Sequence, residues 1–230
     1  MISTIFWDID GTLLNFKQVE QYALEQCFKD FHLGPCSQAA YLHFSEINQR
    51  CWERLERGEL AKQDLLLLRF QDFFQDLGVS VPSLPSINDR YLYYLGNKII
   101  FNENSLALVK QLRGRQKQYA VTNGTALTQA RKLSRSGLDQ ILDGIFISEQ
   151  LGAEKPDPRF FQAIWRQLGS SIQKTTLIVG DSLTSDILGG INAGITTCWY
   201  NPSTVPNHTP IQPDYEIQSL LQIPSLLSKL

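Results

Sequence analysis

The chain has 230 residues, 43% of them hydrophobic and 19% charged, which suits a globular protein of one large domain or a domain with a smaller companion. A net charge of -2 and a pI near 5.9 give no electrostatic footprint for a nucleic-acid polymer or an anionic membrane surface. No apolar run approaches the roughly 20 residues that cross a bilayer, and the cysteines at 27, 36, 51 and 198 have neither the C-x-x-C spacing of a zinc site nor a disulfide pattern.

The opening residues lack a basic segment followed by an apolar one, so a cytoplasmic protein without a secretory leader is expected. Thr4 to Asp8 reads as a short apolar strand, followed by Ile9-Asp10-Gly11-Thr12-Leu13. Strand side chains alternate faces, so Asp8 and Asp10 leave its end on the same side. Two carboxylates held that close repel unless a cation lies between them. Taken alone, the alternative is that Asp10-Gly11 is a turn and Asp8 a helix cap.

Between Phe16 and Leu95 the apolar residues recur at helical spacing: Val19, Tyr22, Ala23 and Cys27; Phe44, Ile47, Cys51 and Leu55; Leu65, Leu68, Phe73 and Leu77; Tyr91, Tyr94 and Leu95. Gly34-Pro35, Gly58 and the Gly78 to Pro85 stretch punctuate them. About four helices in an antiparallel bundle are expected, with Tyr41, Phe44, Trp52, Phe70, Phe73 and Phe74 mostly in its core.

From Ser105 onward, helix and strand alternate. Helices are expected from Ser105 to about Leu112, from Ala126 to Ser136, from Pro158 to Leu168 and from Asp186 to Ala193. The intervening strands centre on Tyr119–Val121, Ile145–Ile147, Leu177–Val179 and Thr196–Tyr200, and Tyr215–Ile217 precedes a terminal helix. Such alternation implies a parallel sheet with helices on both faces, a three-layer, doubly wound, Rossmann-like α/β fold. A parallel crossover needs only a dozen or more residues, yet the whole helical stretch lies between the first strand and the one ending at Thr122. It is therefore an insertion: residues 1–15 and 96–230 form the α/β core and residues 16–95 a helical-bundle cap.

Ligands of open parallel sheets sit beyond the carboxyl ends of the strands. At those ends this chain has Asp8 and Asp10, then Thr122-Asn123, then Lys155, then Asp181 with Asp186 one turn on. Each is weak alone; together they suit phosphoryl transfer. Asp8 is the candidate nucleophile and Asp10 the general acid/base. Magnesium prefers carboxylate, carbonyl and phosphate oxygens, so Asp8, the backbone carbonyl of Asp10 and Asp181 are its candidate ligands. Asp186, with Ser182, supports that shell from behind. Thr122, Asn123 with nearby backbone N–H groups, and Lys155 are the candidate phosphate binders.

Asp8-x-Asp10-Gly11-Thr12-Leu13, Thr122-Asn123-Gly124, Lys155-Pro156 and Gly180-Asp181-x4-Asp186 resemble the four motifs of haloacid dehalogenase superfamily phosphatases with a helical cap. The resemblance spans essentially the whole chain and implies an aspartyl-phosphate mechanism with magnesium as cofactor. Ser182 to Gly194 with Thr197-Cys198-Trp199, and Ile147-Ser148-Glu149-x-x-Gly152, are similar to the noncanonical pyrimidine nucleotidases. That implies a nucleoside 5'-monophosphate as the small phosphorylated partner, with Asn48 and Trp52 of the cap as candidate base contacts. A monomer is the default expectation. Gly189-Gly190 and Gly194 do not follow a strand in G-x-G-x-x-G order and read as close helix packing. The alternatives are a phosphatase of sugar phosphates or other small metabolites, a phosphomutase, and a phospho-accepting signalling domain. A haloalkanoic acid dehalogenase would lack the second aspartate that Asp10 supplies.

Overall fold

A computed structural model describes residues 1–230. The chain opens with β1 (Thr4–Trp7) and then runs through four helices, α1 (Phe16–Asp30), α2 (Gln38–Glu56), α3 (Lys62–Leu77) and α4 (Leu84–Asn97). It continues as α5 (Ser105–Leu112), β2 (Lys117–Thr122), α6 (Ala126–Ser136), β3 (Gly144–Ile147), the single turn α7 (Ser148–Leu151) and α8 (Pro158–Leu168). The last part comprises β4 (Thr176–Gly180), α9 (Leu188–Ala193), β5 (Thr196–Tyr200), β6 (Tyr215–Ile217) and α10 (Ile223–Leu227). Two compact units result, residues 1–16 with 99–230 and residues 17–98. No helix is long and apolar enough to cross a membrane.

The first unit is a six-stranded sheet in the order β3-β2-β1-β4-β5-β6, with every neighbouring pair parallel. The order reverses direction beside β1, which places the usual ligand crevice of such sheets at its carboxyl end. Trp7 is in register with Ala120 of β2 and Val179 of β4. Asp8, the next residue, continues the ladder by donating its N–H to the Val179 carbonyl at 3.0 Å. The nucleophile candidate thus leaves the central strand with its backbone already held.

Alternation along β1 assigns its side chains to two cores. Ile5 and Trp7 join Leu108, Val109, Leu133, Leu177 and Val179 on one face. Phe6 joins Val121, Phe160, Phe161, Ile164 and Ile178 on the other, stacked on Phe161 and Trp165 at centroid distances of 6.4 and 5.5 Å. Trp7 is fully buried and donates its indole N–H to Gln118 Oε1 at 3.0 Å, which satisfies its one polar atom. Helices on both faces complete the three layers.

The second unit is a four-helix bundle with an aromatic centre. Phe44 lies 5.1 to 5.4 Å from Phe70, Phe73 and Tyr91. Tyr41, Phe44, Phe70, Phe73 and Phe74 are buried, whereas Trp52 is half-buried. Arg69 is also buried, donating to Asn48 Oδ1 at 3.0 Å and Asn88 Oδ1 at 2.9 Å, with its guanidinium over the Phe70 and Tyr91 rings. Glu20 accepts from Asn48, Ser45 and Tyr91 in the same network. The bundle runs to Lys98, past the expected boundary at Leu95, because α4 continues to Asn97. Cys27, Cys36, Cys51 and Cys198 are all free thiols.

Candidate active site

Asp8 is buried, and its Oδ1 accepts from Lys155 Nζ at 2.8 Å. The same ammonium donates to Asp186 Oδ1 at 2.6 Å and to the Val121 carbonyl at 2.7 Å. All three of its hydrogens therefore have protein acceptors, and Lys155 acts on an anion through its charge and through the orientation it imposes on Asp8. Burial alone would lower the Lys155 pKa, but Asp186 and Asp8 outweigh it and raise it. Burial and then the Asp186 charge push Asp8 up to about 7, against the pull of Lys155.

Oxygens of Asp8, Asp181 and Asp186 lie within 4.8 Å of one another. Asp181 accepts from Thr12 Oγ1 at 3.2 Å, and its backbone carbonyl accepts from Trp199 Nε1 at 2.9 Å. Loss of hydration and then the charges of Asp8 and Asp186 push its pKa well above the usual carboxylate range. Asp181 is the exposed member of the three. Two glycines make this crowding feasible. Gly11 has φ +101°, and a Cβ there would lie 2.3 Å from Asp181 Oδ2. A Cβ on Gly180 would lie 2.2 Å from Asp186 Cγ.

Three carboxylates share one lysine, so the cluster is short of positive charge, and a hard divalent cation fits that deficit. Asp186 has both oxygens engaged, by Lys155 and by the Ser182 N–H at 3.1 Å. Asp8 and Asp181 are thus the natural ligands. Asp186 bears on Asp8 through the Lys155 that both carboxylates share, and Ser182 caps the turn at Leu183–Ile187 by accepting from the Ser185 N–H.

Thr122 ends β2, buried, with its hydroxyl accepting from the Gly124 N–H at 3.4 Å. Asn123 donates to the Lys155 carbonyl and to Ser185 Oγ, and accepts from the Lys155 N–H. Its amide ties the β2 end to the Lys155 segment, so a phosphate contact from Asn123 falls to its backbone. Asn48 is placed inside the helical bundle, bonded to Glu20 and Arg69. Trp52 keeps part of its surface open.

Two residues at the site were not anticipated. Lys132 Nζ lies 2.6 and 2.7 Å from the two Asp10 oxygens, and Gln129 Nε2 donates to Asp10 Oδ2 at 2.7 Å. The detectable signal was on α6, whose buried face consists of Thr128, Gln129, Lys132 and Leu133. Polar residues at core spacing need a buried partner. With its side chain so engaged, Asp10 keeps its backbone carbonyl as its contact for an ion.

A family model described as haloacid dehalogenase-like hydrolase matches residues 2–194, most of the chain. The chain belongs to that family. Among relatives of this hydrolase is the pyrimidine 5'-nucleotidase PynA of Streptococcus pneumoniae, 37% identical over 98% of this chain and 94% of that protein. Another is the pyrimidine 5'-nucleotidase YjjG of Escherichia coli, 30% identical over 98% of this chain and 97% of that one. The crystal structure of the magnesium-bound HAD-hydrolase YfnB of Bacillus subtilis matches with a TM-score of 0.90 at 32% identity, covering 98% of each chain.

Proposed function

We propose that this hydrolase is a magnesium-dependent phosphatase of pyrimidine nucleoside 5'-monophosphates that works through a phosphorylated Asp8. One observation carries the mechanism: Lys155 binds a single oxygen of Asp8, which leaves Oδ2 directed by a fixed carboxylate for attack. Oδ2 attacks phosphorus, the bond from phosphorus to the ester oxygen breaks, and Asp10 gives that oxygen a proton. A water then attacks the aspartyl-phosphate, Asp10 takes its proton, and Asp8 is restored as phosphate leaves. Lys155 and the Thr122 hydroxyl face the charge that spreads over the transferring group. A magnesium ion held by Asp8 and Asp181 would neutralise the phosphate dianion and screen the carboxylates from it.

The nucleotide preference is supported by the names of PynA and YjjG, which match this chain from end to end. Magnesium is supported by the charge deficit of the acidic cluster and by the bound ion of YfnB. Trp52 is the better candidate than Asn48 for a base contact, because the Asn48 amide is occupied within the bundle.

The test is a phosphate-release panel with magnesium, comparing UMP and dTMP with purine nucleotides and with sugar phosphates. UMP and dTMP are expected to give the highest kcat/KM. Sugar phosphates consistently ahead of both would overturn the nucleotide assignment and leave the phosphatase chemistry standing.

A further inference from the structure

Lys132 and Gln129 are almost fully buried, at 2% and 1% exposure, on a short helix of the α/β unit. Removing an ammonium and an amide from water is unfavourable unless a partner compensates. The partner is the Asp10 carboxylate. Lys132 Nζ bridges both of its oxygens and Gln129 Nε2 reaches Oδ2, while the Phe16 ring lies 5.5 Å from the ammonium. A third residue makes room for the arrangement. A Cβ on Gly124 would lie 2.1 Å from Gln129 Nε2, so the glutamine in this position occupies space that a side chain at 124 would need. Gly124 and α6 together therefore aim two donors at one carboxylate.

From this we infer that Lys132 and Gln129 are positioning residues that fix the Asp10 side chain for proton exchange with the leaving group and with water. The inference rests on Asp10 being the acid/base of the proposed mechanism. Proton transfer needs heavy atoms within hydrogen-bond reach, and an error of about 1 Å can cost on the order of a hundredfold. The two Asp10 oxygens are not equivalent: Oδ2 carries Gln129 and shares Lys132, whereas Oδ1 shares Lys132 alone. A carboxylate oxygen has two lone-pair sites, so Oδ1 keeps one for the travelling proton. Lys132 and Gln129 act through the Asp10 carboxylate.

The test compares benzyl phosphate, whose alkoxide needs a proton to depart, with p-nitrophenyl phosphate, whose phenolate departs without one. Their kcat/KM values report events up to cleavage of the ester bond. Wild type, Lys132→Met, Gln129→Leu, Lys132→Arg and Asp10→Asn are assayed with magnesium. Lys132→Met and Gln129→Leu are expected to lower kcat/KM for benzyl phosphate at least about tenfold more than for p-nitrophenyl phosphate, as loss of general-acid help does. Lys132→Arg, which keeps a charged donor for both oxygens, should regain part of the loss. Equal losses on both substrates would show a merely structural role and overturn the inference. So would unchanged benzyl phosphate turnover in Lys132→Met or Gln129→Leu while Asp10→Asn is impaired. If Lys132→Met does not fold, Gln129→Leu, which keeps the ion pair, decides by the same ratio. Full benzyl phosphate activity in Asp10→Asn is a separate result, which removes the acid/base reading itself.

Discussion

At the scale of single residues, one buried lysine decides whether two carboxylates can coexist. Lys155 contacts Asp8 and Asp186 from a position with 1% exposure, so replacing it leaves both anions without their partner. Breaking a buried pair in this way costs about 3–5 kcal/mol. Lys155→Met is therefore expected to lower the unfolding free energy of the magnesium-free protein by that order, read by urea denaturation, and to abolish phosphate release. Glu20 of the helical bundle makes a separate prediction. Burial raises its pKa above the ordinary 4.5, although Ser45, Asn48, Arg69 and Tyr91 oppose the shift. The folded state then holds the proton more tightly than the unfolded one, so the contribution of Glu20 is most favourable at low pH and is lost as pH rises through the folded value. Glu20→Gln, whose amide can still accept from Asn48 and donate to Ser45, should show a flatter fall of Tm from pH 5 upward than wild type does. An identical fall in both proteins would contradict it.

At the scale of elements, the sheet is built from strands whose residues pack into two cores, and the short apolar runs that such doubly buried strands make were readable in advance. Apolar runs ending in Asp8, Thr122 and Gly180-Asp181 located three of the carboxyl ends, and polar residues clustered there because parallel strands share one exit. Gly189 and Gly190 read as packing residues, and the geometry agrees. A Cβ on Gly190 would lie 2.6 Å from Ile178 Cγ2 and 2.7 Å from Thr197 Cγ2, and one on Gly189 would lie 3.1 Å from the Phe161 ring. Gly190→Ala is expected to destabilise by about 1–3 kcal/mol through overpacking, which exceeds the gain of up to about 1 kcal/mol in helix propensity. A Tm equal to or above that of wild type would sink that packing argument. What was not legible was the role of the buried polar face of α6, although the helix itself was expected at Ala126–Ser136. Its Gln129 and Lys132 sit at core spacing but look like surface residues by type, and their partner Asp10 is more than a hundred positions away in the chain. Pattern alone carries no such pairing. Asn123 was underread for the same reason, since its bonds to the Lys155 segment depend on how two strand ends meet.

At the scale of the molecule, the helical unit interrupts the sheet immediately after its central strand, so the residues that follow Asp8 both line the site and lead out of it. Asn102 donates to the carbonyls of Gly11, Thr12 and Leu14, holding this exit against the returning chain within the α/β unit. The ion that the acidic cluster calls for should stabilise the folded state by mass action. Magnesium is expected to raise the Tm of wild type, and to do so much less for Asp181→Asn; an equal rise in both would detach the ion from Asp181. The proposed mechanism turns on Asp8 as the group that receives phosphate. The most direct measurement is mass spectrometry of the protein quenched in acid during turnover of UMP with magnesium, with the modified peptide sequenced. The expected result is one added phosphoryl group on the peptide carrying Asp8, absent from Asp8→Asn, which also releases no phosphate. Turnover by Asp8→Asn, or a phosphoryl group found on any other residue, would contradict it.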